Sequence, residues 1–445
     1  MPNLDAIDIL NPTLYCSVGY PWRDWDVLRR EAPVFWYERP GIEPFWALTK
    51  YEDINWVSHN PQIFSSRQRM SCNTLEAVEL IELDRERRAA AFGMNADDPP
   101  NLFWMDPPIH RQYRSIVSPC FTPAATARRE AIFDALALQH VAEFSRILDE
   151  QGEADVAKKL AARLPVMAIC ELVAAPEKDW EQIFQWSEAM VGAGDPEYQL
   201  PGEDFETTFK RNALAFESYL VDLVKSRMEH AGDGEDVLSR LCRATLNGAP
   251  LKFHEILFYV HVLLVAGNGT TRNSITNGVQ ALLQHPEELR KLTDDPSLVK
   301  PAAEEILRWS STLIQFARTC TEDTTLRGQL IRRGETVVMF YPSANRDEGV
   351  FQDPYRFDIS RSPNPHFAFG GYGEHFCLGA SLARAELRAA LRALIPVLPK
   401  LELAGRADLV ATHLQLGEIK SLQVRLRTAL PGNRSTTDGA RPRSD

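Results

Sequence analysis

The sequence predicts a mainly α-helical protein with a small β-rich lobe, folded as a single large domain. Three observations point there. Apolar residues recur mostly at helical spacing, strand-like runs are few and short, and no repeat, low-complexity tract or Pro/Gly-rich linker divides the body. A chain of 445 residues has length enough for two or three domains, yet nothing in it marks a boundary. The domain is therefore predicted over residues 1–430, followed by a disordered tail over 431–445 that is rich in Gly, Ser, Thr, Arg and Asp.

Leu138, Val141, Phe144 and Leu148 fall on one helical stripe, as do Leu387, Leu391, Leu394 and Leu398. Phe253 to about Leu283 reads as one long helix. Strand signals are weaker. Trp46 to Thr49 forms one candidate, and Leu330-Ile331 with Thr336 to Phe340 reads as a hairpin turning at Arg333-Gly334.

Composition removes several function classes. A net charge of −12 argues against nucleic-acid binding, which needs clustered Lys and Arg. The opening MPNLDAIDIL has acidic residues and no basic stretch ahead of an apolar one, so no secretory signal is expected. The longest apolar run, Ile256 to Ala266, contains His261 and is too short to span a bilayer, so no stable membrane insertion is expected. These features together predict a cytoplasmic protein. Its seven cysteines (16, 72, 120, 170, 242, 320 and 377) are odd in number and include no CxxC pair, which predicts neither a disulfide framework nor a zinc site.

One cysteine stands apart. It closes the segment Phe369-Gly370-Gly371-Tyr372-Gly373-Glu374-His375-Phe376-Cys377-Leu378-Gly379, just before the helix-forming Ala380 to Glu386. Three glycines in four positions are entropically expensive and suggest close approach of the backbone to something flat. At a helix N-terminus, free N–H groups and the positive dipole end favour a thiolate, the form needed by a haem iron as axial ligand. An isolated cysteine in a Gly-rich turn would more often be a small buried apolar residue. This stretch, however, resembles the haem-binding loop of the cytochrome P450 superfamily, F-G-x-G-x-H-x-C-x-G. Its pattern falls on Gly371, Gly373, His375, Cys377 and Gly379, with Gly370 at the usual aromatic position and Phe369 one place earlier. The variant is similar to the branch that oxidises steroid side chains and branched lipids.

Further segments resemble the same family in the same order. Glu305-Ile306-Leu307-Arg308 matches its E-x-x-R, and Asp353 to Asp358 resembles the stretch supplying a third member, Arg356 or Arg361, to a buried Glu–Arg–Arg network. Asp106-Pro107-Pro108-Ile109-His110-Arg111-Gln112-Tyr113-Arg114 resembles D-P-P-x-H-x-x-x-R, and Phe121-Thr122-Pro123 follows it. His110 and Arg114 are four apart and share a helix face. The resemblance implies that this face, Arg318 and His375 meet the haem propionates, since Arg pairs bidentately with carboxylates. Val338 to Glu348 and Leu416 to Lys420 also look like the steroid-type branch, and the likeness spans about Trp22 to Arg427.

Ala266-Gly267-Asn268-Gly269-Thr270-Thr271 lies in the middle of the long helix. Two mid-helix glycines each cost about 1 kcal/mol relative to Ala, so either a packing contact or a function should require them. The hexamer resembles A-G-x-[D/E]-T-[T/S], in which a local kink makes room for O2, Thr270 would serve oxygen activation, and the residue before it is normally the relay acid. Here that residue is Gly269. Three outcomes are open: water and Asn268 replace the carboxylate, the substrate brings a polar group, or electron use couples poorly to product.

The resemblance therefore implies a haem-thiolate monooxygenase with haem b (iron protoporphyrin IX) ligated by Cys377, which inserts one oxygen atom into a C–H bond. A ferredoxin-type partner with its reductase would supply electrons, docking on a basic patch at His110, Arg111 and Arg114; no fused reductase is expected. Substrate-facing segments would include Met70 to Trp104, Trp186 to Leu200, Phe258 to Gly269, Thr312 to Phe316 and His413 to Leu416, mostly apolar, as suits a steroid, terpenoid or fatty-acid derivative. Two rivals are a peroxide-using or non-hydroxylating haem-thiolate enzyme, and a non-enzymatic haem binder or sensor.

Overall fold

Each apolar stripe becomes a buried helix face. In Glu130–Gln151 that face is Phe133, Ala137, Val141, Phe144 and Leu148. Leu138 is 60% exposed; Ala137 is the residue in phase with the stripe. In Ala380–Leu394, Leu387, Leu391 and Leu394 are buried, and Leu398 follows them into the core. These two helices pack together, and Arg388 and Arg392 reach Glu130 and Asp134 across the contact. The computed structural model describes residues 4–95, 98–99, 101–191, 199–230, 232–410 and 416–427. The tail predicted over 431–445 lies outside them. No described helix is long and apolar enough to cross a membrane.

The long helix runs over Phe253–Gln284. Its 32 residues make it roughly 48 Å long. It packs on Arg163–Leu172, Phe205–Glu229, Val299–Ser310 and Ala380–Leu394, so it forms the axis of the molecule. Gly278 lets it approach Val299–Ser310, because a Cβ there would lie 3.0 Å from Ile306. Polar side chains along its second half bond back to the carbonyl four residues earlier: Thr270 to Ala266, Asn273 to Gly269, Ser274 to Thr270, Thr276 to Arg272 and Asn277 to Asn273. Buried hydroxyls and amides thus find partners without leaving the helix.

The sheet is assembled from both halves of the chain, not from an N-terminal lobe. Its order is Val34–Tyr37, Phe45–Leu48, Thr336–Phe340, Gln315–Cys320, Phe64–Ser65. The hairpin turning at Arg333-Gly334 does not form. Gln329–Ile331 pairs backward with Thr324–Leu326, and Thr336–Phe340 joins the main sheet. Arg327 and Gly328 both have positive φ (50° and 79°), the two-residue turn geometry that matches strand twist. That local turn pairs Gln329–Ile331 with Thr324–Leu326 and leaves Thr336–Phe340 to the main sheet.

The cysteine segment is tied to the helix Val299–Ser310 by one carboxylate. Glu305, fully buried, accepts from Arg308 at 2.8 and 2.7 Å, Arg361 at 3.3 and 3.2 Å, Asn364 at 3.1 Å and the Asp358 amide at 3.0 Å. The third member is Arg361. Arg356 is exposed and contributes its carbonyl, which accepts from Arg308 and Arg361. Removing one partner of a buried ion group leaves uncompensated charge. Glu305→Ala or Arg361→Ala should therefore lower unfolding stability by about 3–5 kcal/mol, whereas Arg356→Ala should stay within about 0.5 kcal/mol. Denaturant melts of the three variants check this, and equal losses for Arg356 and Arg361 would contradict the assignment.

Candidate active site

The loop carrying Cys377 is held mostly by its own backbone. Cys377 N–H donates to the Phe369 carbonyl at 3.0 Å, and Ala380 N–H donates to the Cys377 carbonyl at 3.4 Å as the helix starts. Phe369 is buried, with the Arg384 guanidinium 4.4 Å from its ring centre. Gly379 is the N-cap, and its amide bonds the sulfur. Even so, burial pushes the Cys377 thiol up; the Gly379 amide, Arg114 and Arg384 offset only part of this. The helix N-terminus alone therefore does not make the thiolate. A bound cation would have to.

Three of the loop's glycines are required by the protein itself. Gly370 has φ +81°, which suits glycine. A Cβ on Gly371 would lie 2.0 Å from Ser58 Oγ, and one on Gly373 only 1.8 Å from the Ser58 carbonyl oxygen. The loop is pressed onto the end of the helix Tyr51–His59.

Four basic side chains gather beside it. His110 and His375 have ring centres 4.2 Å apart. Arg114, one turn beyond His110, donates to the Phe376 carbonyl at 2.6 Å. Arg318, 8% exposed, donates to the adjacent Ala317 carbonyl at 2.7 Å. Neither guanidinium meets a carboxylate among the described residues. Burial lowers the affinity of Arg114 and Arg318 for their protons. Burial, then the charge of Arg114, takes His110 down to about 4, and burial with the neighbouring cations takes His375 well below its ordinary value. His110 Nδ1 has no hydrogen-bond partner, and His375 Nε2 lies 3.0 Å from Ser66 Oγ. Guanidiniums partly or wholly withdrawn from water without counter-charge are costly, so this pocket fits a ligand carrying carboxylates. A haem, with two propionates and an iron for Cys377, satisfies both needs.

This geometry also revises the expected basic patch. His110 and Arg114 turn inward; Arg111 is exposed and pairs with Glu374.

The central helix gives the other wall. It is helical without a break through Ala266–Thr271, yet Val265 is 52% exposed and Ala266 and His261 are exposed too, although buried residues flank them along the helix. Apolar surface bared mid-helix is suited to meeting an apolar ligand. Phe92 stacks edge-on to Phe258, and Phe103 meets Phe316, so two substrate-facing stretches adjoin others. Residues 192–198 and 413–415, expected to face substrate, lie outside the described residues.

Asn268 is tied to a neighbouring helix. It is 2% exposed and donates to Ser187 of Trp180–Val191, while its own oxygen is unpaired. Gly267 faces Ile169, where a Cβ would make an ordinary 3.7 Å contact. Gly269 faces Leu416 and the carboxylate of Glu418, a residue the sequence reading did not single out.

The profile of the family described as cytochrome P450 matches residues 81–396. The methyl-branched lipid omega-hydroxylase of Mycobacterium tuberculosis is 39% identical over 87% of this chain and 85% of its own. The steroid C26-monooxygenase of Rhodococcus jostii is 34% identical over 97% and 87%. A Mycobacterium marinum cytochrome P450 solved in complex with pseudoionone superposes with a TM-score of 0.81 at 33% identity, covering 96% of this chain and all of its own.

Gly373→Ala should fold without the red-shifted ferrous–CO Soret band that marks thiolate ligation, because the clash is with backbone. Gly371→Ala should lose it too, but regain it in combination with Ser58→Gly, which removes both clashing atoms. A normal band in Gly373→Ala would show that the contact with Ser58 does not position the loop.

Proposed function

The chain belongs to the cytochrome P450 family and is a haem-thiolate monooxygenase, and we propose that it hydroxylates a branched-lipid or sterol-like substrate using haem b. One observation supports the site assignment above the rest: beside the His375–Cys377 stretch, half-buried Arg114 and buried Arg318 meet no carboxylate among the described residues. When bound, the haem supplies O2 activation, with electron density donated by the thiolate. The sequence has no CxxCH attachment motif, which supports a non-covalent b-type haem.

The protein's own part is to bind, orient and exclude water. Arg114, Arg318, His110 and His375 hold the propionate side. Arg384 and Phe369 pack behind the loop. Thr270 keeps its hydroxyl at the helix surface, bonded to the Ala266 carbonyl at 3.1 Å. The bared stripe at His261, Val265 and Ala266, with the Phe92–Phe258 and Phe103–Phe316 pairs nearby, offers an apolar wall to a hydrocarbon chain. The names of the two relatives above favour branched lipids and steroid side chains over small aromatics. The seven cysteines are all unpaired, as a reducing cytoplasm maintains them.

A ferredoxin-type donor completes the reading. Arg111 and Arg128 are exposed cations on segments that pack by the cysteine loop and helix, and they offer an acidic partner two contacts on an otherwise acidic protein.

Two outcomes are expected. Sterol-like and methyl-branched lipids should shift the ferric haem from low to high spin; a screen in which only small aromatic acids did so would overturn the substrate assignment. Electron-transfer rates from an acidic ferredoxin should fall as salt rises, and Arg111→Ala should lower them severalfold at low salt. Rates indifferent to ionic strength would exclude this docking mode.

A further inference from the structure

The acid missing from the central helix is present in space. An ideal Cβ on Gly269 would lie 3.8 Å from Glu418 Oε1 and 3.9 Å from Leu416 Cδ1. Glu418 opens the strand Glu418–Ser421, is only 9% exposed, and so occupies the volume that a side chain at 269 would enter. We propose that Glu418 delivers protons beside Thr270, replacing from the C-terminal strand the carboxylate that Gly269 lacks. This rests on the monooxygenase reading above.

The placement is fixed by several hydrogen bonds. The Ile419 amide donates to Asn273 Oδ1 at 3.0 Å, and Asn273 Nδ2 donates to the Gly269 carbonyl at 2.8 Å. One side chain therefore clamps the strand to the turn of helix that bears Gly269. On the other side, the Gly417 amide donates to the Thr312 carbonyl at 2.7 Å. Gly417 also packs on Tyr20, where a Cβ would lie 2.0 Å from the hydroxyl, and Tyr20 itself donates to the Ser311 carbonyl at 2.9 Å. The backbone on both sides of Glu418 is thus held by partners, and the carboxylate is aimed by that frame. Asn268, the polar neighbour along the helix, is engaged with Ser187. Thr270 comes next after Gly269, so its hydroxyl, bonded to the Ala266 carbonyl, and the Glu418 carboxylate lie on adjoining faces of one helical turn.

The chemistry balances simply. Per turnover, one O2, two electrons from the reduced ferredoxin and two protons from solvent yield one oxygen atom inserted into a C–H bond and one water. Glu418 in its acid form gives a proton to the groove through Thr270 or an intervening water, and water then reprotonates it. If protons arrive late or in the wrong place, the same two electrons and two protons leave as hydrogen peroxide. An acid or base placed for proton transfer contributes roughly 10²–10⁴-fold.

The reconstituted enzyme with ferredoxin, reductase and phytanic acid tests this, by product and peroxide formed per reducing equivalent. Glu418→Gln should cut product formation by about 10²-fold, raise the peroxide share and change the solvent isotope effect. Gly269→Glu combined with Glu418→Gln should restore product, because the carboxylate returns to the groove from the helix. Juxtaposition has its own readout in melting temperature. Gly269→Glu alone puts two carboxylates together and should lower it, while adding Glu418→Gln should recover the loss, a non-additive cycle. Wild-type coupling and isotope effect in Glu418→Gln, or additive melting shifts, would overturn the proposal. Should wild type consume no reducing equivalents, the monooxygenase reading fails instead, and the melting cycle still decides where Glu418 sits.

Discussion

Glu305 is a fully buried carboxylate that would be intolerable without donors. It takes them from two guanidiniums, an amide side chain and a backbone N–H, all within 3.3 Å. Those donors come from its own helix and from residues 358–364, the stretch leading into the cysteine loop. The carboxylate therefore converts a buried-charge problem into a geometric constraint: satisfying it fixes where residues 358–364 must lie, and the loop starts from there. Glu304, next along the helix, extends the constraint. Burial alone would raise its carboxyl, but His366 and Arg384 take it down to about 2. Two successive carboxylates thus anchor the segment before the loop and the helix after it.

The opposite imbalance occurs across the loop. A protein with twelve excess negative charges draws a cluster of four basic side chains, two buried and two half-buried, away from water. In a structural ion network such as that at Glu305, both guanidiniums meet a carboxylate. Arg114 and Arg318 meet none among the described residues, and this distinguishes a binding pocket from a strut. Packing and recognition differ here in sign: one site is closed by the chain's own acids, the other by acids of a ligand.

The parts legible in the sequence were those whose signal is local. The cysteine loop, the i, i+3 pair Glu305–Arg308 and the His110–Arg114 face each lie within a few residues, and the long helix declares itself by periodicity. Contacts between distant segments were not legible. The glycines at 371 and 373 stand out by composition, but nothing near them in the chain mentions Ser58. Glu418 lies in the stretch Leu416 to Lys420, which is conspicuous only for its family likeness; nothing there marks a buried acid, since a lone acid in a short strand usually faces solvent. Leu138 fitted the stripe by spacing as well as Ala137 did, and only packing chose between them. The false hairpin arose because the Arg327-Gly328 turn carries no stronger composition cue than Arg333-Gly334; backbone conformation decided.

The clamp on the cysteine loop also bears on how the molecule is made. Ser58 touches Gly371 and Gly373, Arg114 holds the Phe376 carbonyl, and Glu305 receives Arg361. Most of these partners are separated by hundreds of residues, and such contacts form late because the intervening chain must first be closed. On a ribosome the N-terminal helix bearing Ser58 emerges long before the loop that needs it. The cysteine segment can take its shape only once the chain through residue 379 or so is available, so its site is completed late in synthesis. A truncation that spares Cys377 but removes the early helix at Tyr51–His59 deletes the mould rather than the ligand.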